Sequence, residues 1–284
     1  MGSAIGARLR DGGARVVSVL DGRSERTRRL AAEAGVEDVA TLETLVHEAD
    51  VVLSVVPPGS ALEVAEAIAV VAGDARPLVA DLNAISPTTV ERIDAALAAH
   101  GLDAVDGSIS GPPPHAPGTT RIYLSGLRAA EVAGLPLQGV ELVVVGPAVG
   151  LASAVKMCTA SVYKGRVALL AQALRTAQAY GVVEHVLDDL VDTGLADRRR
   201  TGGTIGKASA KAWRYVPEME EIAATQGGAG LTPELFLAIS RVYAELAERA
   251  FAEAPEDVPD DIALAEVLER LSAGDEGRGG AEAS

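Results

Sequence analysis

The chain has 284 residues, of which 48% are hydrophobic and only 3% aromatic, so alanine, valine and leucine must fill its core. Its formal net charge of −15 argues against nucleic-acid binding, which needs a basic surface, and against adhesion to anionic membranes. Cys158 is the only cysteine and the four histidines are scattered, so the sequence predicts neither a disulfide nor a metal site. No apolar run is long enough to span a bilayer, and we expect a soluble cytoplasmic protein.

The first residues are typical of the middle of a dinucleotide-binding motif. Residues 3–10 form a predicted helix, and a predicted strand at 16–20 ends at Asp21. In a Rossmann unit, a strand and a G-x-G-x-x-G turn precede such a helix, and a ribose-binding acid follows after about 20 residues. Gly2 fits the last glycine of that turn, and Asp21 fits the acid. We therefore expect the first strand and two loop glycines to lie upstream of Met1. The alternative is a domain that simply begins with a helix.

Strand and helix signals then alternate as far as Pro147. The predicted strands are 51–56, 77–81, 102–106, 121–125 and 142–145, with helices at 25–34, 42–48, 61–71 and 87–100. This alternation predicts a parallel sheet with helices on both faces, here without its central strand.

The second half of the chain reads as helix only. Residues 148–180 predict one helix of roughly 50 Å, and further helices are predicted at 184–191, 204–215, 217–225, 233–252 and 261–271. We therefore predict a Rossmann-like α/β domain at 1–147, an all-α domain at 148–272 and a disordered tail at 273–284.

The turn after the first predicted strand is the candidate site for the adenosine ribose. Asp21 can accept hydrogen bonds from ribose hydroxyls, whereas Arg23 and Ser24 suit a 2′-phosphate. The other arginines of the following helix are typical of a solvated surface. These residues predict a nucleotide coenzyme, NADP with NAD as the alternative.

Two further segments supply candidate site residues. Pro57 and Asn83 follow two predicted strands; Asn83 either bonds the nicotinamide or its ribose, or caps a turn. A long loop rich in glycine and proline joins two later strands, and such loops usually have a function. In it, Ser110 and the Gly111 N–H can hold a carboxylate. His115 is more typical of a solvated loop residue than of an acid–base group.

Lys156 is the strongest catalytic candidate. It is one of only four lysines and stands in an apolar stretch of the long helix. Tyr163 lies within about 40° of it around the helix, whereas Lys164 is about 80° away, so Lys156 and Tyr163 are expected to face one cavity. A lysine in such a place can donate a proton to a carbonyl oxygen. The alternative is a lysine whose charged end reaches solvent from an interface.

These segments, in this order, resemble the β-hydroxyacid dehydrogenase superfamily, which includes 6-phosphogluconate and 3-hydroxyisobutyrate dehydrogenases and imine reductases. The opening Met1–Ala7, the loop 106–118 and the helix 150–164 carry the resemblance, which extends over nearly the whole chain. It is closest to a branch whose C-terminal region is a domain of unknown function. The resemblance implies that Lys156 is the catalytic lysine and that Ser110 and Gly111 bind substrate.

The resemblance has departures that bear on the substrate. Pro112 occupies the second glycine position of the substrate loop and has no N–H to offer. Ala160 stands where the family has an asparagine, with Thr159 before it as a substitute contact. Glu218 falls near a family acid and is a further candidate for substrate binding.

We therefore expect an NADP-dependent oxidoreductase that acts on a small carboxylate-bearing hydroxy or oxo compound, with Lys156 and Tyr163 as catalytic residues. We expect a homodimer formed through the helical domain. Imine reduction is the alternative reaction. A different class of function is a catalytically silent dimerisation or interaction module, because the nucleotide fingerprint is incomplete.

Overall fold

A computed structural model describes residues 1–249, 251 and 254–272. The chain divides into two compact units, which we call unit 1, Met1–Cys158, and unit 2, from Thr159 onward. The division falls inside the long helix that the sequence predicts from residue 148. The predicted tail at 273–284 lies outside the described residues.

Unit 1 alternates helices and strands, as predicted. Its strands are β1 Val17–Ser18, β2 Glu37–Asp38, β3 Val51–Ser54, β4 Leu78–Asp81, β5 Ala104–Ser110, β6 Arg121–Ser125 and β7 Glu141–Gly146. Its helices are α1 Gly2–Asp11, α2 Glu25–Glu33, α3 Leu42–Glu48, α4 Ala61–Ala72, α5 Pro87–Ala98, α6 Ala129–Ala133 and the start of α7 Leu151–Ala179, with a short 3-10 turn at Pro58–Ser60.

The strands form two sheets. β1 pairs with β2 in a two-stranded parallel sheet, and the other five strands form a sheet of order β3-β4-β5-β6-β7. β3, β4 and β5 are parallel, as are β6 and β7, but β5 and β6 are antiparallel. The prediction of an all-parallel sheet is therefore wrong at one pair. The loop 111–120 contains no crossover helix, so the chain returns directly beside β5.

Helices cover both faces of the five-stranded sheet. On β4, Val79 faces one side and packs in a cluster with Ile68 of α4 and Ile93 of α5. Its neighbour Leu78 faces the other side and packs in a second cluster with Ile5 of α1. These five side chains are at most 2% exposed. The alternation follows from the two-residue period of a strand, and double burial explains why β3 and β4 read as continuous apolar runs.

The secondary structure of unit 2 is helical throughout its described residues. After the remainder of α7 come α8 Val183–Asp192, α9 Thr201–Ser209, α10 Ala212–Gly228, α11 Glu234–Glu248 and α12 Leu264–Ser272. The predicted fold class, a Rossmann-like α/β region followed by a helical region, is confirmed. No helix among the described residues combines the length and apolarity that crossing a membrane requires.

The predicted helix boundary at Pro217 is wrong. The break instead falls between α9 and α10, and Pro217 lies inside α10. A proline inside a helix costs about 3 kcal/mol, because it removes one backbone hydrogen bond and crowds the preceding turn. The helix also buries Met219 and Ile222, which are at most 1% exposed. Each such side chain contributes about 1.5–3 kcal/mol, so burial outweighs the proline.

Candidate functional site

A row of buried polar side chains crosses four neighbouring strands of unit 1. Ser54, Asp81, Asp106 and Ser125 are paired in register on β3, β4, β5 and β6. They are 5%, 3%, 1% and 0% exposed, respectively. Residues in register project from the same face of a sheet, so the four side chains lie side by side. We call them the polar row.

Asn83 joins the polar row to the end of β3. Its side-chain amide donates to Ser54 Oγ at 2.9 Å and to Asp81 Oδ2 at 2.8 Å, and its carbonyl oxygen accepts from the Val56 N–H at 2.7 Å. Three of its four hydrogen-bonding positions are therefore used inside the protein. This favours the structural alternative for Asn83 over a contact with the nicotinamide.

The pKa of Asp81 is raised to about 6, mainly because burial disfavours the charged form. Hydrogen bonds from Asn83 and Ser54 oppose this rise, while the charge of Asp106 in the next strand adds to it.

Asp106 holds the start of α7. Its carboxylate accepts from Ser153 Oγ at 2.6 Å, from the Ser153 N–H at 3.0 Å and from Ser125 Oγ at 2.9 Å. Ser125 Oγ in turn accepts from the Ala152 N–H at 3.0 Å. The first amides of a helix have no partners within the helix, and a carboxylate is stabilised there. The polar row therefore fixes the first turn of α7, which belongs to unit 1, against the sheet of that unit.

Lys156 lies one turn further along α7. Its ammonium group donates to the Ile109 carbonyl at 2.9 Å, and the side chain is half-buried. Ile109 immediately precedes Ser110 and Gly111. The structure thus brings three of the predicted site residues together at the end of β5. Gly111 has a φ of +107°, and a Cβ there would lie 2.4 Å from the Thr119 carbonyl, so only glycine fits.

The loop after Gly111 is fixed from two sides. Arg8 of α1 donates to the carbonyls of Pro114 and His115, both at 2.6 Å, and Thr120 Oγ1 donates to the Pro112 carbonyl at 2.6 Å. The His115 side chain is exposed. Sequence reasoning missed Arg8, because nothing in its local pattern separates it from a surface arginine.

The candidate coenzyme residues of unit 1 occupy two places. Gly2 is the first residue of α1, and a Cβ on it would lie 3.8 Å from Val55, just beyond β3. Pro57 is exposed a little further along the same segment. The start of α1 has no side-chain cap. Backbone N–H groups at such a helix start are suited to phosphate.

The second place is the exposed turn between β1 and α2. Asp21, Arg23 and Ser24 lie in it, and Gly22 has a φ of +67°. Ser24 also accepts from the Thr27 N–H at 3.3 Å and so caps α2. The turn offers a carboxylate, a guanidinium and a hydroxyl, which fit a ribose or its phosphate. Together, the backbone N–H groups at the start of α1 and the polar side chains of the turn Asp21–Ser24 fit the phosphates and the ribose of a dinucleotide.

The remaining candidates lie in unit 2. Thr159 is exposed, and Tyr163 is 71% exposed. Glu218 is 7% exposed and forms an ion pair with Lys164, which neutralises its charge. Tyr243 donates its hydroxyl to the Lys164 carbonyl at 2.8 Å.

The class of protein that this fold and these residues define is a dinucleotide-binding α/β protein with a helical second part. Residues 1–133 match the NAD binding domain of 6-phosphogluconate dehydrogenase, and residues 177–246 match a domain of unknown function, DUF1932. A relative from Methanothermus fervidus, an uncharacterised 28.5 kDa protein, is 30% identical over 178 residues, which are 63% of this chain and 68% of that protein.

Solved structures extend this likeness over nearly the whole chain. A conserved hypothetical protein from Sinorhizobium meliloti is 29% identical with a TM-score of 0.67, covering 96% of this chain and 92% of its own. A conserved protein with structural similarity to 3-hydroxyacid dehydrogenases is 31% identical with a TM-score of 0.64, covering 87% and 93%. The 3-hydroxyisobutyrate dehydrogenase of Mycobacterium tuberculosis, with L-serine, shares the fold at 23% identity and a TM-score of 0.66, covering 95% of each chain.

The chain therefore belongs to the 6-phosphogluconate dehydrogenase-like family whose NAD binding domain is followed by a DUF1932 domain, and the predicted resemblance is confirmed. An imine reductase of Streptomyces aurantiacus has the same fold, at 20% identity and a TM-score of 0.52 over 94% of this chain and 95% of its own. Family and fold support an NAD(P)-dependent oxidoreductase.

Proposed function

We propose that the protein is an NADP-dependent oxidoreductase acting on a small carboxylate-bearing hydroxy or oxo compound. The observation that carries this proposal is the hydrogen bond of Lys156 to the Ile109 carbonyl at 2.9 Å. It holds a cation beside Ser110 and Gly111, where a carboxylate can be bound. A proton donor and a carboxylate-binding loop are thus adjacent within one compact unit.

Each group has a role that follows from its chemistry. When bound, the nicotinamide supplies or accepts the hydride. The ammonium group of Lys156, whose position is set by its hydrogen bond to the Ile109 carbonyl, is the proposed proton donor to the substrate oxygen. It gives a proton to that oxygen in reduction and takes one back in oxidation. Ser110 Oγ and the Gly111 N–H hold the carboxylate, and Pro112 adds no third donor.

For the coenzyme, we propose that the start of α1 at Gly2 binds the phosphates. Arg23 and Ser24 bind the 2′-phosphate of NADP, with Asp21 beside the ribose. The exposure of this turn and its mixture of one carboxylate, one guanidinium and one hydroxyl support this assignment. Because Asp21 repels a phosphate, the preference for NADP over NAD is expected to be modest.

The substitution Lys156→Met tests the reaction. It retains the length and helix propensity of the side chain but removes the proton. We expect turnover to fall by roughly 10²–10⁴-fold, the usual contribution of general acid–base catalysis, with NADPH affinity changed by no more than a few-fold. Activity is measured by NADPH oxidation across a panel of oxo acids and affinity by fluorescence titration. If Lys156→Met retained most of the activity, the hydroxyacid mechanism would be wrong, and imine reduction with Tyr163 as donor would replace it.

The substitution Arg23→Ala tests the coenzyme. It should weaken NADPH binding by about 5–10-fold, corresponding to a surface hydrogen bond to phosphate, and leave NADH binding nearly unchanged. Arg29→Ala is the matched control, since Arg29 is an exposed arginine of α2 that pairs with Glu33 at 3.7 Å. An unchanged ratio of the two affinities would transfer the assignment to Asp21 and NAD.

A further inference from the structure

Three of the four lysines of this acidic chain lie in unit 2, and two of them meet at one tyrosine ring. The Lys164 ammonium lies 4.7 Å from the centroid of the Tyr215 ring, and the Lys211 ammonium lies 5.7 Å from it. Lys207 is on α9, one turn before Lys211. We call Lys164, Lys207, Lys211 and Tyr215 the lysine cluster.

The charges of the cluster are not all compensated. Lys164 is paired with Glu218, and Lys207 is paired with Asp260. Lys211 makes no ion pair with any residue that the structure describes. Burial lowers the pKa of Lys211, as do the positive charges of Lys164, Arg214 and Lys207, while Glu218 opposes them. A half-buried cation is therefore held among other cations, where an added negative charge would be stabilised.

The hydroxyl of Tyr215 is a neutral donor on the ring that both ammonium groups contact. Its ring is held edge-on by Tyr243, with centroids 5.0 Å apart and an interplanar angle of 76°. Within the part of the chain that the structure describes, its hydroxyl has no hydrogen-bond partner. Burial raises the pKa of Tyr215, so the hydroxyl remains protonated and can donate.

We propose that Lys211 and Tyr215 form an oxyanion-binding site in unit 2, which takes the carboxylate or phosphate group of a small anion. The Lys211 ammonium supplies the charge-assisted hydrogen bond and the Tyr215 hydroxyl the second donor. Lys164 does not compete for the anion, because it is already paired with Glu218. The inference does not depend on the reaction proposed above, since it needs neither coenzyme nor turnover.

The small number of lysines makes a direct experiment possible. Reductive methylation with ¹³C-formaldehyde labels the four lysines together with the N-terminal amine, and four single Lys→Arg variants assign the lysine NMR signals. The labelled protein is titrated separately with inorganic phosphate and with malonate at constant ionic strength. We expect a saturable shift that is largest at Lys211 and smaller at Lys164, with a dissociation constant of about 1–10 mM. The titration midpoint of Lys211 should rise when the anion is bound.

The phosphate and malonate titrations are compared with each other, and the signals of the other lysines serve as internal references. A response to phosphate alone or to malonate alone identifies the class of oxyanion. No saturable shift at Lys211 with either anion, or equal shifts at all four lysines, would overturn the site. A shift confined to Lys156 would also overturn it, while leaving the carboxylate site at Ser110 intact, so the two proposals fail in distinguishable ways.

Variants provide the controls. Lys211→Met should abolish the response of Lys164, whereas Lys207→Met should retain it, because Lys207 is already paired with Asp260. Melting temperatures of both variants establish that they are folded. Tyr215→Phe should weaken anion binding by a few-fold through loss of one donor. An unchanged response of Lys164 in Lys211→Met would contradict the proposal.

Discussion

The polar row of unit 1 and the lysine cluster of unit 2 bury polar groups in different ways. In the polar row, both carboxylate oxygens of Asp106 accept hydrogen bonds from protein donors. The adjoining Asn83 donates through its amide nitrogen and accepts through its amide oxygen. In the lysine cluster, the Lys164–Glu218 pair is complete, but Lys211 and the Tyr215 hydroxyl have no such partners among the described residues. A satisfied network fixes geometry, whereas partly exposed unsatisfied groups are available to a ligand.

The largest effect is expected from breaking the complete pair of the lysine cluster. Glu218→Gln would leave the Lys164 ammonium largely buried without its counter-charge, since the two side chains are 17% and 9% exposed. We expect the free energy of unfolding to fall by about 3–5 kcal/mol, measured by urea denaturation. Asp260→Asn is the control, because that carboxylate is 87% exposed, and it should cost less than about 1 kcal/mol. Similar losses of unfolding free energy in Glu218→Gln and Asp260→Asn would contradict the view that the Lys164–Glu218 pair is a buried, stabilising interaction.

A smaller effect concerns the pH dependence of the polar row. Burial raises the pKa of Asp81 to about 6 in the folded protein, from the ordinary value of 3.8 that it has when unfolded. Between these values only the folded state holds the proton, so the stability contributed by Asp81 falls as the pH rises from about 4 to about 6. Asp81→Asn should remove this fall, which amounts to roughly 3 kcal/mol.

The measurement is urea denaturation of both proteins from pH 4 to pH 7. Asp94, whose pKa burial and Asp103 also raise, is present in both proteins, so their difference isolates Asp81. If the unfolding free energies of the wild type and Asp81→Asn changed in parallel with pH, the Asp81 carboxyl would not be the source of the pH dependence.

The smallest effect is expected from one hydrogen bond of the polar row. Ser153→Ala removes the donor that lies 2.6 Å from Asp106 Oδ1 and should cost about 2 kcal/mol of unfolding free energy. It should also lower kcat, because the start of α7 positions Lys156. Ser209→Ala is the control: that buried hydroxyl donates only to the Ile205 carbonyl of its own helix, and its loss should cost under about 0.5 kcal/mol. Equal costs would mean that Asp106 does not hold α7.

Much of the fold follows from local signals. Ser24, Thr41 and Ser86 each cap a helix, and these helices begin where the sequence places them. The strands that are buried on both faces, β3 and β4, were likewise predictable from their continuous apolar runs. The antiparallel pair β5–β6 depends on the path of a loop without periodicity, and the burial of α10 outweighs the local effect of Pro217. Neither the antiparallel direction of β6 nor the boundary of α10 can be predicted from a short stretch of sequence.

The candidate site was predictable to a lesser degree. Lys156 and the Ser110-Gly111 loop were recognised as separate motifs, and only the end of β5 brings them together. The polar row left a weak signal, a serine or aspartate in each of four strands, but its meaning depends on strand register. Lys164 and Glu218 are distant in sequence, and no local pattern indicates that they are paired.

The short pairing of β1 with β2 has a consequence for coenzyme binding. Only Val17 and Ser18 pair with Glu37 and Asp38, and both β2 residues are exposed. Amide hydrogens in this part of unit 1 are therefore expected to exchange with solvent through local opening, well before the five-stranded sheet unfolds. A dinucleotide held by the adjoining turn at Asp21 would slow that exchange. Part of its binding free energy would go into ordering the turn, so measured affinity would understate the strength of the contacts themselves.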